Sequence, residues 1–224
     1  MITLNSIKYY GEYIAIEAEK PLRTISTAIH NAGYGYYQYF INRTVDPTYN
    51  PSDAHEEMKQ FLQSKGFPLD KTVAMMTAVD MKFAFSRFYH DGDTSILLLV
   101  TAGLNNAVDV TNTYNDSSDP SIGTINIFIL INGRLTDEAL IQAMCCAVEA
   151  KTKVLSEKQI LDKTTGTIAT GTSTDSICIA STQNGEFHQY GGSITKVGSL
   201  IGKGLYETLS EAVDEYIAFK KGTS

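Results

Sequence analysis

The run GTINIFILINGRLTDEAL, Gly123 to Leu140, and the run ATGTSTDSICIA, Ala169 to Ala180, decide the fold. Gly123 to Ile131 is apolar and rich in β-branched residues, the composition of a buried strand. Asn132-Gly133 signals a turn. The Thr136 hydroxyl can cap a following helix, and Asp137 and Glu138 suit the positive end of its dipole. That helix is expected from about Asp137 to Leu155. A polar linker leads to Gly171, Thr172, Ser173, Thr174 and Asp175, directly before a second apolar strand, Ser176 to Ala180. Hydroxyls, permissive backbone and a carboxylate at a strand end make this turn a candidate reaction site.

Working outward, Ile7 to Ala18 reads as a hairpin turning at Gly11, and a further strand is expected from about Leu22 to Ile29. Tyr34, Tyr36, Tyr37, Tyr39 and Phe40 crowd the next strand, ending near Asn42. They suit cross-strand packing or a flat ligand. Asp53 opens a helix with the stripe Ala54, Met58, Phe61 and Leu62, ended by Gly66. Thr72 to Val79 and Ser95 to Thr101 are strands. Met81 to Tyr89 fits either helix or strand, and Val108 to Ser121 reads as a mobile loop. Val197 to Ile217 repeats at helical spacing, and Gly198, Gly202 and Gly204 permit close approach of a sheet or a partner subunit. The pattern is α+β, mixed sheets packed with a few long helices in a single domain over residues 1–224.

Composition narrows the function. The net charge of −7, with no basic run, argues against nucleic acid and mildly favours a cationic ligand. No apolar run reaches the ~18 residues of a membrane span, and the N-terminus lacks the pattern of a signal peptide. The expected compartment is the cytoplasm. Cys145, Cys146 and Cys178 lie in apolar segments and read as reduced core thiols. His30, His55, His90 and His188 show no metal-ligand spacing, and no G-x-S-x-G elbow occurs.

Two carboxylates are candidates for the chemistry. Asp175 is a base toward water or toward the hydroxyl of Thr172 or Thr174, or else a structural acceptor for backbone amides. Glu149 follows Ile141 and Cys145 on one helical stripe, where it is expected to be partly buried, as a base or as a structural carboxylate. Amides of the Gly171 turn, with Asn106 or Asn126, are candidates to hold an oxyanion. Asn126 sits in a strand built for burial, so its amide must find partners.

The quoted runs, with Glu149-Ala150-Lys151-Thr152 and Val100-Thr101-Ala102-Gly103-Leu104-Asn105-Asn106-Ala107, resemble the CbiZ-type adenosylcobinamide amidohydrolases. Arg23 to Ser26, Asn42 to Tyr49, Thr77 to Asp80 and Lys196 to Gly202 fall in the expected order. Asn105 and Ser173 depart from the family pattern, which has Ser and Gly there. The resemblance implies hydrolysis of the amide joining aminopropanol to the corrin ring of adenosylcobinamide, in corrinoid salvage. Catalytic candidates are Asp175, Glu149, Thr172 and Thr174. Substrate-binding candidates are Asn106, Asn126, Asn42, Gly171, Ser173 and Thr101. No cofactor beyond the substrate's own cobalt is implied. The partner is a small-molecule corrinoid, with no nucleic acid and no membrane, and a homo-oligomer is open. The alternatives are a non-catalytic corrinoid or tetrapyrrole carrier, and a threonine-nucleophile amidase or acyltransferase on another substrate.

Overall fold

The computed structural model describes residues 1–49, 52–112 and 123–222. Most of the loop expected over Val108 to Ser121, from residue 113 on, lies outside them, as do Ile122, Asn50 and Pro51. In chain order the strands are β1 (Ile7–Tyr9), β2 (Tyr13–Ser26), β3 (Gly33–Thr44), β4 (Thr72–Thr77), β5 (Phe85–Asp91), β6 (Thr94–Ala102), β7 (Ala107–Val108), β8 (Ile125–Asn132), β9 (Arg134–Leu135), β10 (Gly171–Thr172), β11 (Ser176–Ser181) and β12 (Phe187–His188). The α-helices are α1 (Ala54–Ser64), α2 (Asp137–Glu157) and α3 (Lys196–Gly222).

Among the described residues one mixed sheet runs β4-β3-β2-β11-β8-β6-β5, with β1 beside β2. β11 runs parallel to β8, and β4 parallel to β3; the other pairs are antiparallel. Two short ribbons, β7-β10 and β9-β12, flank it. The sequence suggested two strands between Tyr13 and Ile29. The structure has one long strand whose register slips between Glu17 and Leu22. A bulge bends the strand without ending it, so β2 serves β1 with its first half and β11 with its second. Met81 to Tyr89, ambiguous by pattern, divides into a 3₁₀ turn at Met81–Phe83 and strand β5.

Strand alternation sorts the side chains into layers. Ile96, Leu98 and Val100 of β6, Ile127 and Ile129 of β8 and Ile177 and Ile179 of β11 face α2 and α3. Leu97, Leu99, Phe128, Leu130 and Cys178 face the other way and meet Ile14, Ile16, Phe40, Val73 and Met75 from the curled-over β2-β3-β4 half. The far side of that half, with Tyr13, Ala15, Ile41 and Ala74, is covered by Met58, Phe61 and Leu62 of α1. Each fully buried Ile, Leu, Val, Met or Phe among these contributes about 1.5–3 kcal/mol by leaving water.

The helix ends follow the sequence signals. The Thr136 hydroxyl accepts from Ala139 N, and Asp53 accepts from His55 N and Glu56 N. Gly198 and Gly204 of α3 pack against the chain itself, whereas a Cβ on Gly202 would meet nothing within 4 Å. A Cβ on Gly204 would lie 2.8 Å from the Tyr89 ring, and one on Gly198 would lie 2.0 Å from Gly192 O. No helix among the described residues is long and apolar enough to cross a membrane.

The ends of β3, β4 and β6 and the starts of β8 and β11 meet at one end of the sheet. The C-terminal half of α2 and the end of α3 reach the same place.

Candidate functional site

At that end the β7-β10 ribbon pairs Gly171 with Val108 and Thr172 with Ala107, and the chain turns through Ser173 and Thr174 into β11. Asp175 is the centre of the turn. Its Oδ1 accepts from Ile125 N at 3.1 Å and from the Thr172 hydroxyl. Its Oδ2 accepts from Thr172 N at 3.1 Å and from Lys151 Nζ. The Lys151 side chain is 9% exposed and that of Asp175 12%. A desolvated ion pair persists only where further hydrogen bonds satisfy it, and three donors besides the ammonium do so for Asp175. Gly171 makes the room: a Cβ there would stand 2.5 Å from Asp175 Oδ2 and 2.7 Å from Lys151 Nζ.

Lys151 is a residue of this turn's surroundings that local sequence signals did not single out. Its signal lay in helical phase. It falls four residues after Ala147 and three before Val154, within the buried stripe of α2. A lysine in such a stripe needs an acidic partner. Glu149 is the corresponding correction. It lies on the exposed face, as do Ile141, Cys145 and Val148, so the stripe expected to be buried is the solvent-facing one. Thr172 is buried beside Asp175, whereas Thr174 is exposed and donates its hydroxyl to Gly123 O at 2.8 Å.

Two amides of the turn are already engaged. Thr172 N serves Asp175, and Ser173 N donates to Asn106 O at 3.2 Å. These two therefore do not form the expected oxyanion pocket. The Asn106 side chain is nearer that task. Its Nδ2 donates to Ser173 Oγ at 2.7 Å and reaches Thr174 Oγ at 3.3 Å, and its buried Oδ1 has no partner among the described residues. Ser173 is exposed.

Asn42, Asn126 and Thr101 have no exposed surface. Asn126 Nδ2 donates to Asn42 Oδ1 at 2.8 Å and Met76 O at 3.0 Å, and Asn42 Nδ2 donates to Thr101 Oγ at 3.0 Å. These three residues clasp the two halves of the curled sheet from inside. The expectation that they bind substrate is corrected, because their polar groups are spent on each other and sealed from solvent.

The aromatic run splits along its length, beside the register shift of β2. Tyr34 and Tyr36 are exposed, while Tyr37 and Phe40 join the core. Cys178 is fully buried, which pushes its thiol well up. Burial, with Glu149 adding to it, also raises Cys146. Cys145, expected in the core, is exposed. Three histidines are tied to separate partners: His30 to Leu69 O, His55 to Ile29 O and His188 to Thr94 Oγ. Among the described residues no three His, Cys, Asp or Glu side chains cluster as for a metal.

Beside the turn lies a cavity of about 410 Å³, bounded by the segments after β3, β4 and β6, by Gly123 and by the end of α3. Gly123 O, which takes the Thr174 hydroxyl, links its wall to the residue before Asp175.

The chain matches a family model described as adenosylcobinamide amidohydrolase (CbiZ) over residues 2–221. It is 26% identical over 200 residues to the adenosylcobinamide amidohydrolase of Methanosarcina mazei, covering 85% of this chain and 89% of that one. With the Halobacterium salinarum protein of the same name it shares 28% identity, covering 76% of this chain and 71% of the other. It is also 27% identical to an uncharacterized ABC transporter ATP-binding protein, YvrA, of Bacillus subtilis, covering 90% of this chain. The match spans 36% of YvrA, about a third of that longer protein. With nearly its whole length inside the family model, the chain belongs to the adenosylcobinamide amidohydrolase (CbiZ) family.

Proposed function

We propose that the protein hydrolyses the amide joining aminopropanol to the corrin ring of adenosylcobinamide, releasing adenosylcobyric acid and 1-amino-2-propanol in corrinoid salvage. One observation carries the reading: a Thr172 hydroxyl bonded to the Asp175 carboxylate, itself braced by the nearly buried Lys151. A nucleophile within hydrogen-bond reach of a base, with the base held by a third group, is the signature of covalent catalysis.

In this mechanism Thr172 Oγ attacks the amide carbon and passes its proton to Asp175 Oδ1. The Lys151 side chain, bonded to Asp175 Oδ2, favours negative charge building up nearby. Asn106 Nδ2, whose N–H groups serve Ser173 Oγ and Thr174 Oγ in the resting site, turns one of them to the carbonyl oxygen as it becomes an oxyanion. The carbon–nitrogen bond then breaks, and the proton held by Asp175 leaves with the amine. Water attacks the resulting threonine ester, gives a proton back through Asp175 and frees Thr172 with the corrinoid acid. The cobalt belongs to the substrate and takes no part in these steps.

The test is incubation of the purified protein with adenosylcobinamide and chromatography of the products. Stoichiometric adenosylcobyric acid and aminopropanol are expected. Bound but uncut corrinoid would point instead to a carrier. Hydroxylamine added during turnover is expected to divert the threonine ester to a corrinoid hydroxamate.

A further inference from the structure

The cavity beside the turn is not used by the mechanism above. Its wall is formed by Val45 and Pro47 after β3, Val79 and Phe83 after β4, and Tyr216 and Phe219 at the end of α3. Phe83 and Phe219 stand with ring centroids 4.9 Å apart at 51°, forming an angled aromatic wall. Tyr216 points its hydroxyl inward to Asn105 Oδ1 at 2.7 Å, which fixes the floor. The half-exposed side chain of Asp80 lies at the rim beside Lys82.

Size and chemistry restrict what fits. At about 410 Å³ the space is near the lower end of small-molecule sites. A corrin ring with its fringe of carboxamides is larger than such a space. The fringe would also press its N–H and C=O groups against Val45, Pro47, Val79 and Phe83 without partners, which costs free energy for each. A purine nucleoside has the opposite character. Its base offers two flat π faces to an aromatic wall, and its sugar hydroxyls can donate to a rim carboxylate such as Asp80.

We propose that this cavity is a nucleoside subsite that takes the adenosyl group of the corrinoid, leaving the ring outside. The assignment rests on the proposed amidohydrolase reading for its substrate, and on the cavity alone for its nucleoside chemistry. Seating the adenosyl group there anchors the substrate beside the Asp175 turn, whose Thr174 hydroxyl donates to Gly123 O in the cavity wall. Binding energy from a remote group of this kind orients the reacting amide.

The probe is 5′-deoxyadenosine, titrated into the full chain by calorimetry and added as a competitor of adenosylcobinamide hydrolysis. Saturable binding and competitive inhibition are expected. Two variants outside the Thr172 constellation narrow or strip the cavity: Ala78→Phe fills it and Phe219→Ala removes half its aromatic wall. Each is expected to weaken the probe and raise KM for adenosylcobinamide by about tenfold or more, with kcat within about threefold of the parent. Failure of the probe to bind or compete at millimolar concentration, in protein that turns over adenosylcobinamide, overturns the subsite. So does a folded Ala78→Phe protein with the parent's inhibition constant. Binding of the probe in the parent and its loss in Ala78→Phe, without any amide cleavage, would leave the subsite standing and remove the amidohydrolase reading instead.

Discussion

Thr172 gives the cleanest residue-scale test. Thr172→Val keeps the shape of the side chain and leaves the Lys151–Asp175 pair in place, so folding should be close to the parent's while kcat falls. Loss of an activated nucleophile and its proton transfer is expected to cost at least ~10²-fold. A folded Thr172→Val protein within about tenfold of the parent rate would remove Thr172 from the mechanism. Asp175→Asn is a harsher change, because it removes the carboxylate that neutralises Lys151. An uncompensated buried charge costs about 3–5 kcal/mol, so this variant should lose both thermal stability and turnover. Lys151→Met with Asp175→Asn should recover part of the stability without the activity, which calorimetry and the product assay read separately. Glu149 is the control on the same helix. It is exposed, and Glu149→Gln should leave stability within about 0.5 kcal/mol of the parent.

At the scale of elements, the Gly171 ribbon is held by close packing and by a carboxylate clasp behind it. Gly171→Ala would push a methyl onto Asp175 Oδ2 and Lys151 Nζ. Overpacking of this kind typically costs about 1–3 kcal/mol, and here it also displaces the base, so melting temperature and kcat should fall together. Behind the ribbon, Asp109 accepts from the hydroxyls of Thr167 and Thr111 and from Thr111 N. Asp162 accepts from the amides of Asp109, Thr164 and Thr165. The Asp109 carboxyl is held down by these hydroxyl and amide donors. For Asp162, burial pushes upward but the amide hydrogen bonds outweigh it, and the net shift is downward. A lowered folded-state value means that the contribution to stability is complete above the unfolded carboxylate range, near pH ~4. It is lost as the pH falls through the folded value. Acid titration followed by circular dichroism should therefore show the parent losing stability below about pH 4 more steeply than Asp162→Asn. Equal slopes would mean that the clasp carries no proton linkage.

Across the whole molecule, the layering predicts thiol chemistry. Cys145 is on the outer face of α2 while Cys178 is enclosed between the two halves of the curled sheet. A neutral thiol reagent should label Cys145 in the native protein at once, and Cys178 only at the rate of global unfolding. Rapid native labelling of Cys178 would show that the halves of the sheet separate easily. Turnover after Cys145 labelling should persist, because Cys145 lies on the exposed face away from the Lys151 stripe.

The local chemistry of the chain was enough to place its three α-helices and most of its long strands, though it split β2 in two and left Met81 to Tyr89 open. β8 and β11 are apolar on both faces because both are covered, so they read as continuous hydrophobic runs. Thr136 capped its helix as expected, and the GTSTD turn drew attention through its own glycine and hydroxyls. These signals depend on residues within a few positions of one another. The pairing of Lys151 with Asp175 across 24 residues and the Asn42–Asn126 clasp across 84 depend on tertiary structure instead. Helical phase turned Glu149 outward and Lys151 inward, the reverse of the rotation that the Ile141–Cys145 stripe suggested. The bulge in β2 folded one half of the sheet over the other, and that curl buried the asparagines that an open sheet would have offered to a ligand. Local periodicity selects which faces are apolar, but the partner of a buried charge is selected by which face of another element packs against it.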